Sequence, residues 1–206
     1  MLTLFYATNT CSLASHIALE DSGAAYEAKR LDFDAGDQRK PEFLKINPKG
    51  RVPALATEFG ILTETPAILA FIAQSNPQAN LAPVNDAFLF AKAHAFNNYL
   101  SSTVHVAHAH RRRGYRWSDD PAVISALAIK VPHNMAECFD LIENTYFQGP
   151  WVMGSEYSIC DPYLFTIANW LEADGVEPKK FPKVLDHRNR MAQRANVKKV
   201  LAREHA

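Results

Sequence analysis

Along the first eighty residues, short apolar runs are separated by polar breaks, and the apolar period switches repeatedly between two and about 3.6. Leu2–Tyr6 reads as a buried strand and Ser12–Ser22 as a helix. Ala28–Leu31 reads as a second strand leading into a charged loop. A short helical stretch at Phe43–Ile46 precedes the turn cluster Asn47-Pro48-Lys49-Gly50. Two short strands, Val52–Ala56 and Ile61–Leu62, are then split at Phe59-Gly60, and a helix runs from Pro66 to about Ser75. The order strand, helix, strand, helix, strand, strand, helix predicts a small sheet with helices on its faces.

Past residue 85 the strand signals fade. Phe88, Phe96, Tyr99, Leu100, Val104 and Ala107 recur at three- to four-residue steps and predict one long helix. A second long helix is expected from Pro121 to Tyr146, with a kink or break at Pro132. Ser158-Ile159-Cys160-Asp161 stands ahead of the apolar stretch Tyr163–Leu171 and has the Ser-x-x-acid form of a capping box. Asp161 therefore reads as a structural cap rather than a catalytic carboxylate. The Pro- and Asn-rich segment from Asn76 to Pro83 is the expected linker. It separates a mixed unit, residues 1–80, from an all-helical unit, residues 86–206.

Composition narrows the function classes. Apolar residues make up 48% of the 206 and charged residues 21%, the proportions of a soluble folded protein. Lys plus Arg number 22 and Asp plus Glu number 22, so no net positive field draws the chain to nucleic acid or to an anionic membrane. The three cysteines are too few and too scattered for a disulfide framework and fit a reducing compartment. The N-terminal residues lack a basic region ahead of a long apolar one, and no apolar run approaches the ~20 residues of a membrane span. The expectation is a soluble cytoplasmic protein.

Candidate chemistry begins at Cys11, between the first strand and the first helix. Unpaired N–H groups and the helix dipole there favour a thiolate and can depress the thiol pKa; the competing reading is a small apolar residue packed inside. Cys11-Ser12-Leu13-Ala14 has no second cysteine three positions on, which disfavours dithiol exchange and leaves single-thiol chemistry open. Cys138 and Cys160 read as inert packing. The isomer of the Val52-Pro53 bond is not decided by pattern, although trans is commoner by base rate. Thr65 suits an N-cap and Pro66 the first helical position. A helix start also binds carboxylates, and Glu64 just before it suits an ammonium group, so the pair fits a zwitterionic α-amino acid. His108 and His110 do not share a helix face, and no metal site is expected from them. The run Arg111-Arg112-Arg113 reads either as a solvated helix end or as the rim of a pocket for anionic substrates.

Together the strand-Cys11-Ser12-helix opening, Asn47-Pro48-Lys49-Gly50-Arg51-Val52-Pro53-Ala54-Leu55, Glu64-Thr65-Pro66-Ala67-Ile68, Asn98–His105 and Asp161-Pro162-Tyr163-Leu164-Phe165-Thr166 resemble a cytosolic glutathione transferase, nearest to the bacterial beta class. The resemblance runs over nearly the whole chain. It implies an α/β thioredoxin-like N-terminal domain that binds glutathione, and an all-α C-terminal domain that supplies most of the second-substrate pocket. It further implies glutathione as co-substrate without a metal, a small electrophilic second substrate, and a homodimer. By the same resemblance Val52 would pair its backbone with the cysteinyl part of glutathione, Pro53 would be cis, and Glu64 and Thr65 would hold the γ-glutamyl ammonium and carboxylate. Cys11 and His105 would face the sulfur, with Ser102 in the segment leading to His105. Asn98 would contact glutathione across a dimer interface.

The chain departs from that pattern in three places. Thr65 stands where the family usually has serine, and Pro66 removes one N–H. The loop Asp32–Asp37 is acidic where relatives offer a lysine. Tyr6 and Ser12 are hydroxyls of the types other classes use toward the sulfur. The implied reaction is attack of the glutathione thiolate on an electrophile. Alternatives are thiol transfer, peroxide reduction or isomerisation through Cys11, or a non-enzymatic module of the same fold.

Overall fold

The computed structural model describes residues 1–205. The first half contains β1 (Leu2–Tyr6), α1 (Ser12–Ser22), β2 (Tyr26–Arg30), α2 (Pro41–Leu44), β3 (Ala54–Thr57), β4 (Gly60–Thr63) and α3 (Thr65–Ser75). The strands form one sheet in the order β2-β1-β3-β4. β1 pairs parallel with β2, and β3 runs antiparallel to both β1 and β4, with Leu4 opposite Leu55 and Leu55 opposite Leu62. The parallel β1–β2 pair needs a crossover, and α1 is that crossover. The expected element order is observed, with ends displaced by at most two residues.

The pleat of β1 sends Leu4 and Tyr6 into the main core, while Phe5 on the opposite face meets Phe43 at 5.8 Å between ring centroids. α1 is buried nearly all round, which requires a partner on each side. Ala14, Ala18 and Leu19 join the main core beneath α3, whereas Leu13 and Ile17 pack with Phe165, Met191, Val197 and Val200 of the second half.

The second half is helical: α4 (Ala87–Tyr99), α5 (His105–Arg113), α6 (Pro121–Leu141), α7 (Cys160–Ala168), α8 (Pro182–Gln193) and α9 (Ala195–Glu204). The long helix expected from Phe88 onward is present as an uninterrupted helical run through α4 and α5, with a wide π-type turn, Leu100–Val104, inside it, closed by the His105 N–H on the Leu100 carbonyl. Phe88, expected on the buried stripe, is 75% exposed, because it sits in the first turn of α4, where Asp86 caps the backbone. Pro132 breaks nothing; α6 runs through it without interruption, and its ring packs over Gly175, where no side chain intrudes. The Ser158/Asp161 capping box is present: Asp161 accepts from the Ser158 N–H at 2.7 Å, and Ser158 Oγ accepts from the Cys160 N–H at 3.2 Å. Among the described residues no helix is long and apolar enough to cross a membrane.

Candidate functional site

A cleft of about 590 Å³ lies between the sheet edge and the helical half. On the sheet side it is built by three connections. The first is the β1–α1 loop, which presents Asn9, Thr10 and Cys11. The second is the Asn47–Gly50 turn. There the Asn47 amide donates to the Arg51 carbonyl at 2.7 Å, and Gly50 takes a φ of 59°. A Cβ on Gly50 would stand 2.8 Å from the Gln38 carbonyl, so only glycine fits. That turn delivers Arg51, Val52 and Pro53 to the cleft, and the Val52-Pro53 bond is cis.

The third connection is the start of α3. The residue flanking the helix is Glu64, not Thr65 as expected, and it adopts a φ of 71°, unusual for a residue with a side chain. Such strain concentrates at functional positions. Glu64 forms an ion pair with Lys49, whose ammonium also donates to Thr63 Oγ1 at 2.8 Å. Thr65, buried, and Pro66 complete this wall.

The helical side contributes Ser101, His105, Arg113, Arg116, Trp117, Tyr163 and Trp170, among others. The cleft thus brings together Cys11, Val52, Pro53, Glu64, Thr65 and His105 from the sequence-based set. It does not bring in Asn98 or Ser102. Both are exposed, and the Ser102 hydroxyl donates to the Asn98 carbonyl at 2.8 Å. The π-type turn is the reason: on an uninterrupted α-helix Asn98, Ser102 and His105 share a face, but the extra residue rotates the backbone and puts Ser101 in the cleft instead.

Of Cys11, Ser12 and Tyr6, only Cys11 lines the cleft. The Ser12 hydroxyl is buried among Ala7 and Thr10, 2.7 Å from Thr10 Oγ1. Tyr6 lies in the core with its ring 4.9 Å from that of His16. The Cys11 thiol donates toward the Val52 carbonyl at 3.5 Å. The depressed pKa that a helix start can give is not found. Burial pushes this thiol up to about 11, opposed only in part by the Thr65 side chain and the Arg113 charge. His105 shifts the other way, down to about 3, chiefly because burial disfavours its cation and then because Arg113 and His108 add like charge. It is therefore a neutral ring at physiological pH, and its Nε2 lies 3.3 Å from Arg113 Nη2.

The basic end of α5 is not a solvated helix end. His108 stacks on Trp170 at 4.2 Å and pairs with buried Asp174 at 2.7 Å, and Arg111 pairs with the same carboxylate at 3.0 Å. Arg112 is exposed, and of the three arginines only Arg113 lines the cleft. The sequence places Arg113 within the candidate pocket rim Arg111-Arg112-Arg113, without singling it out from its two neighbours. Steps of four from His105 through Ala109 to Arg113 would have put it on the cleft face. Arg51 lay inside a motif already singled out. Tyr163, following Asp161-Pro162, was read only as the start of an apolar stretch.

Comparison with known proteins places this architecture. Residues 1–74 match the family model "Glutathione S-transferase, N-terminal domain" and residues 125–195 match "Glutathione S-transferase, C-terminal domain". The chain is similar to glutathione S-transferase GstA of Escherichia coli O157:H7, with 30% identity over 210 residues and 98% of each chain covered. Among solved structures it superposes on a glutathione transferase homologue from Sulfitobacter with bound glutathione, at a TM-score of 0.95 and 43% identity over 98% of each chain. It also superposes on the beta-class glutathione S-transferase of Sphingomonas chungbukensis, at a TM-score of 0.86 and 30% identity over 98% of each chain. A thioredoxin-like sheet domain carrying the Cys11 loop and the Glu64-Thr65 helix start, joined to a helical domain that closes the same cleft, together with these full-length likenesses, shows that the chain belongs to the glutathione S-transferase family.

Proposed function

We propose that the cleft binds glutathione as co-substrate and presents its thiol to a small electrophile bound against the helical side. The observation that carries this reading is the convergence of Cys11, the Val52-Pro53 edge, the Glu64-Thr65 helix start and His105 on one cavity. Residues 1–80 would hold the tripeptide and residues 86–206 the second substrate. Glu64 takes the γ-glutamyl ammonium, sharing its charge with Lys49, and the first turn of α3 takes the γ-glutamyl carboxylate. The glutathione thiol loses its proton to solvent. The sulfur then forms a bond to the electrophilic carbon, and the leaving group departs with its electron pair.

Cys11 suits the role of a neutral S–H donor toward that sulfur better than that of an attacking thiolate, since its pKa of about 11 keeps it protonated. Its partly buried position on the cleft wall supports a second reading, thiol transfer. In that reading the Cys11 sulfur attacks glutathione disulfide, a Cys11–glutathione disulfide forms, and glutathione thiolate is expelled. We further propose a homodimer in a reducing compartment. Phe59 and Phe88 are 85% and 75% exposed, apolar surface that a second copy would cover, and Asn98 is exposed as a residue serving the partner's cleft must be.

The test is calorimetric titration with glutathione, followed by rates on a panel of chloroaromatic, hydroperoxide, disulfide and maleyl substrates. Saturable binding with turnover of a chloroaromatic supports conjugation. A glutathionyl adduct that disappears in Cys11→Ala supports thiol transfer, and absence of any binding overturns the whole reading.

A further inference from the structure

The cleft is cationic in a chain of zero formal net charge. Its charged lining is Arg39, Arg51, Arg113, Arg116 and a single carboxylate, Glu64, which shares its charge with Lys49. Arg113 stands apart from the other partly buried arginines. Arg111 is paired with Asp174, Arg188 with Glu172, Arg190 with Asp186 and Arg194 with Asp21. Arg113 forms no ion pair among the described residues, its Nε is buried without a hydrogen bond, and its Nη2 meets only the ring nitrogen of His105, at 3.3 Å. A partly buried guanidinium without a carboxylate is costly unless an anion comes to it. Arg116 and Arg51 sharpen that cost, adding to burial in lowering the Arg113 pKa.

The position of the missing anion follows from the groups around Arg113. Its charge acts directly on the Cys11 thiol and on His105. The groups facing that spot are Cys11 from the β1–α1 loop, Glu64 and Thr65 from the start of α3, His105 and His108 from α5, Tyr163 from α7, and Arg51 and Arg116 from the flanking turns. Of these, Cys11 is a protonated thiol and His105 a neutral ring, so neither offers a charge. We propose that Arg113 is the residue that holds the glutathione thiolate, its guanidinium steered by the neutral His105 ring onto the sulfur docked beside Cys11. The proposal rests on the glutathione reading above. It assigns hydrogen-bond donation to Cys11, orientation to His105 and countercharge to Arg113.

The experiment compares the intact wild type with R113Q, R113M, R113K and, as a control outside the cleft, R112Q. Calorimetry gives glutathione affinity, and the ultraviolet absorbance of the thiolate against pH gives the thiol pKa of bound glutathione. Turnover is measured on a neutral chloronitrobenzene and on its carboxylate analogue. R113Q is expected to bind glutathione while raising the bound thiol pKa by about one unit or more, a tenfold or greater fall in the ratio of thiolate to thiol at any given pH. Both electrophiles should slow together, R113K should recover part of the loss, and R112Q should match the wild type. Should R113Q not fold, R113M carries the same expectation without a buried amide. An unchanged thiol pKa in a variant that still binds overturns the assignment. So does a loss confined to the carboxylate substrate, which would give Arg113 to the second substrate. A wild type that takes up no glutathione overturns the glutathione reading itself, and this assignment with it.

Discussion

Cys11 sits where a helix start ought to acidify a thiol, and the hydrogen bonds help explain why it does not. The Leu13 N–H goes to the Thr10 carbonyl at 3.2 Å and the Ser12 N–H to Thr10 Oγ1 at 3.3 Å, so two helix-start donors are spent on the preceding loop, and the Thr65 side chain and the Cys11 N–H are left to favour a thiolate. Burial then decides the direction. With a pKa of about 11, roughly one thiol in 10⁴ is ionised at pH 7. The rate of Cys11 alkylation should therefore climb about tenfold per pH unit from pH 7 to pH 10. Mass spectrometry of the labelled peptide measures this, and a plateau near neutrality would contradict it. The position of Cys11 was legible from the switch between strand and helix periods; its ionisation was not, because pattern does not show where backbone donors point. The same holds for His105. The sequence located it, but its neutral state comes first from burial, with the Trp170 ring 5.0 Å away, which only the fold supplies, and then from the like charge of Arg113 two turns on.

Among the elements, the start of α7 was readable in full because a capping box is a local device. Its reach was not local. Asp161 is wholly buried and accepts from the Val152 N–H at 2.9 Å, from Ser158 at 2.7 Å and from His187 Nε2 at 3.0 Å, so one carboxylate joins a loop, a helix start and α8. Asp161→Ala should cost about 3 kcal/mol in urea unfolding, the loss expected when a buried charge's partner is removed. Ser158→Ala, which loses a cap alone, should cost about 1 kcal/mol. Equal losses for the two would show that the links to Val152 and His187 contribute little. The turn at Leu100–Val104 marks the opposite case. Nothing in its residue types announces a π-type turn, and the one-residue rotation it introduces exchanged Ser102 for Ser101 at the cleft. The break allowed for at Pro132 is absent for a related reason. A missing N–H interrupts a helix only where packing does not hold the backbone, and Val131 and Met135 on either side of it are fully buried.

For the whole molecule, the division into a mixed half and a helical half was visible from the change in hydrophobic period, but the seam between them was not. α1 forms that seam. His16 meets Glu204 of α9 at 3.0 Å in a buried pair, and Asp21 accepts from Tyr157, Arg194 and Asn196. Glu204→Ala should lower stability by about 3 kcal/mol. Native-state hydrogen exchange of the wild type should give amides of β1 and α7 the same opening free energy; clearly different values would show that the halves open separately. The sidedness of α1 also has a meaning for the gene. A helix whose two flanks belong to different neighbours cannot be inherited by either alone, so severing the coding sequence in the linker would release two products, one with Leu13 and Ile17 laid bare and one with Phe165, Val197 and Val200 uncovered. Recombination that swaps the helical half between distant kin must carry compensating changes on that flank of α1, or the chimera will be sticky before it is active.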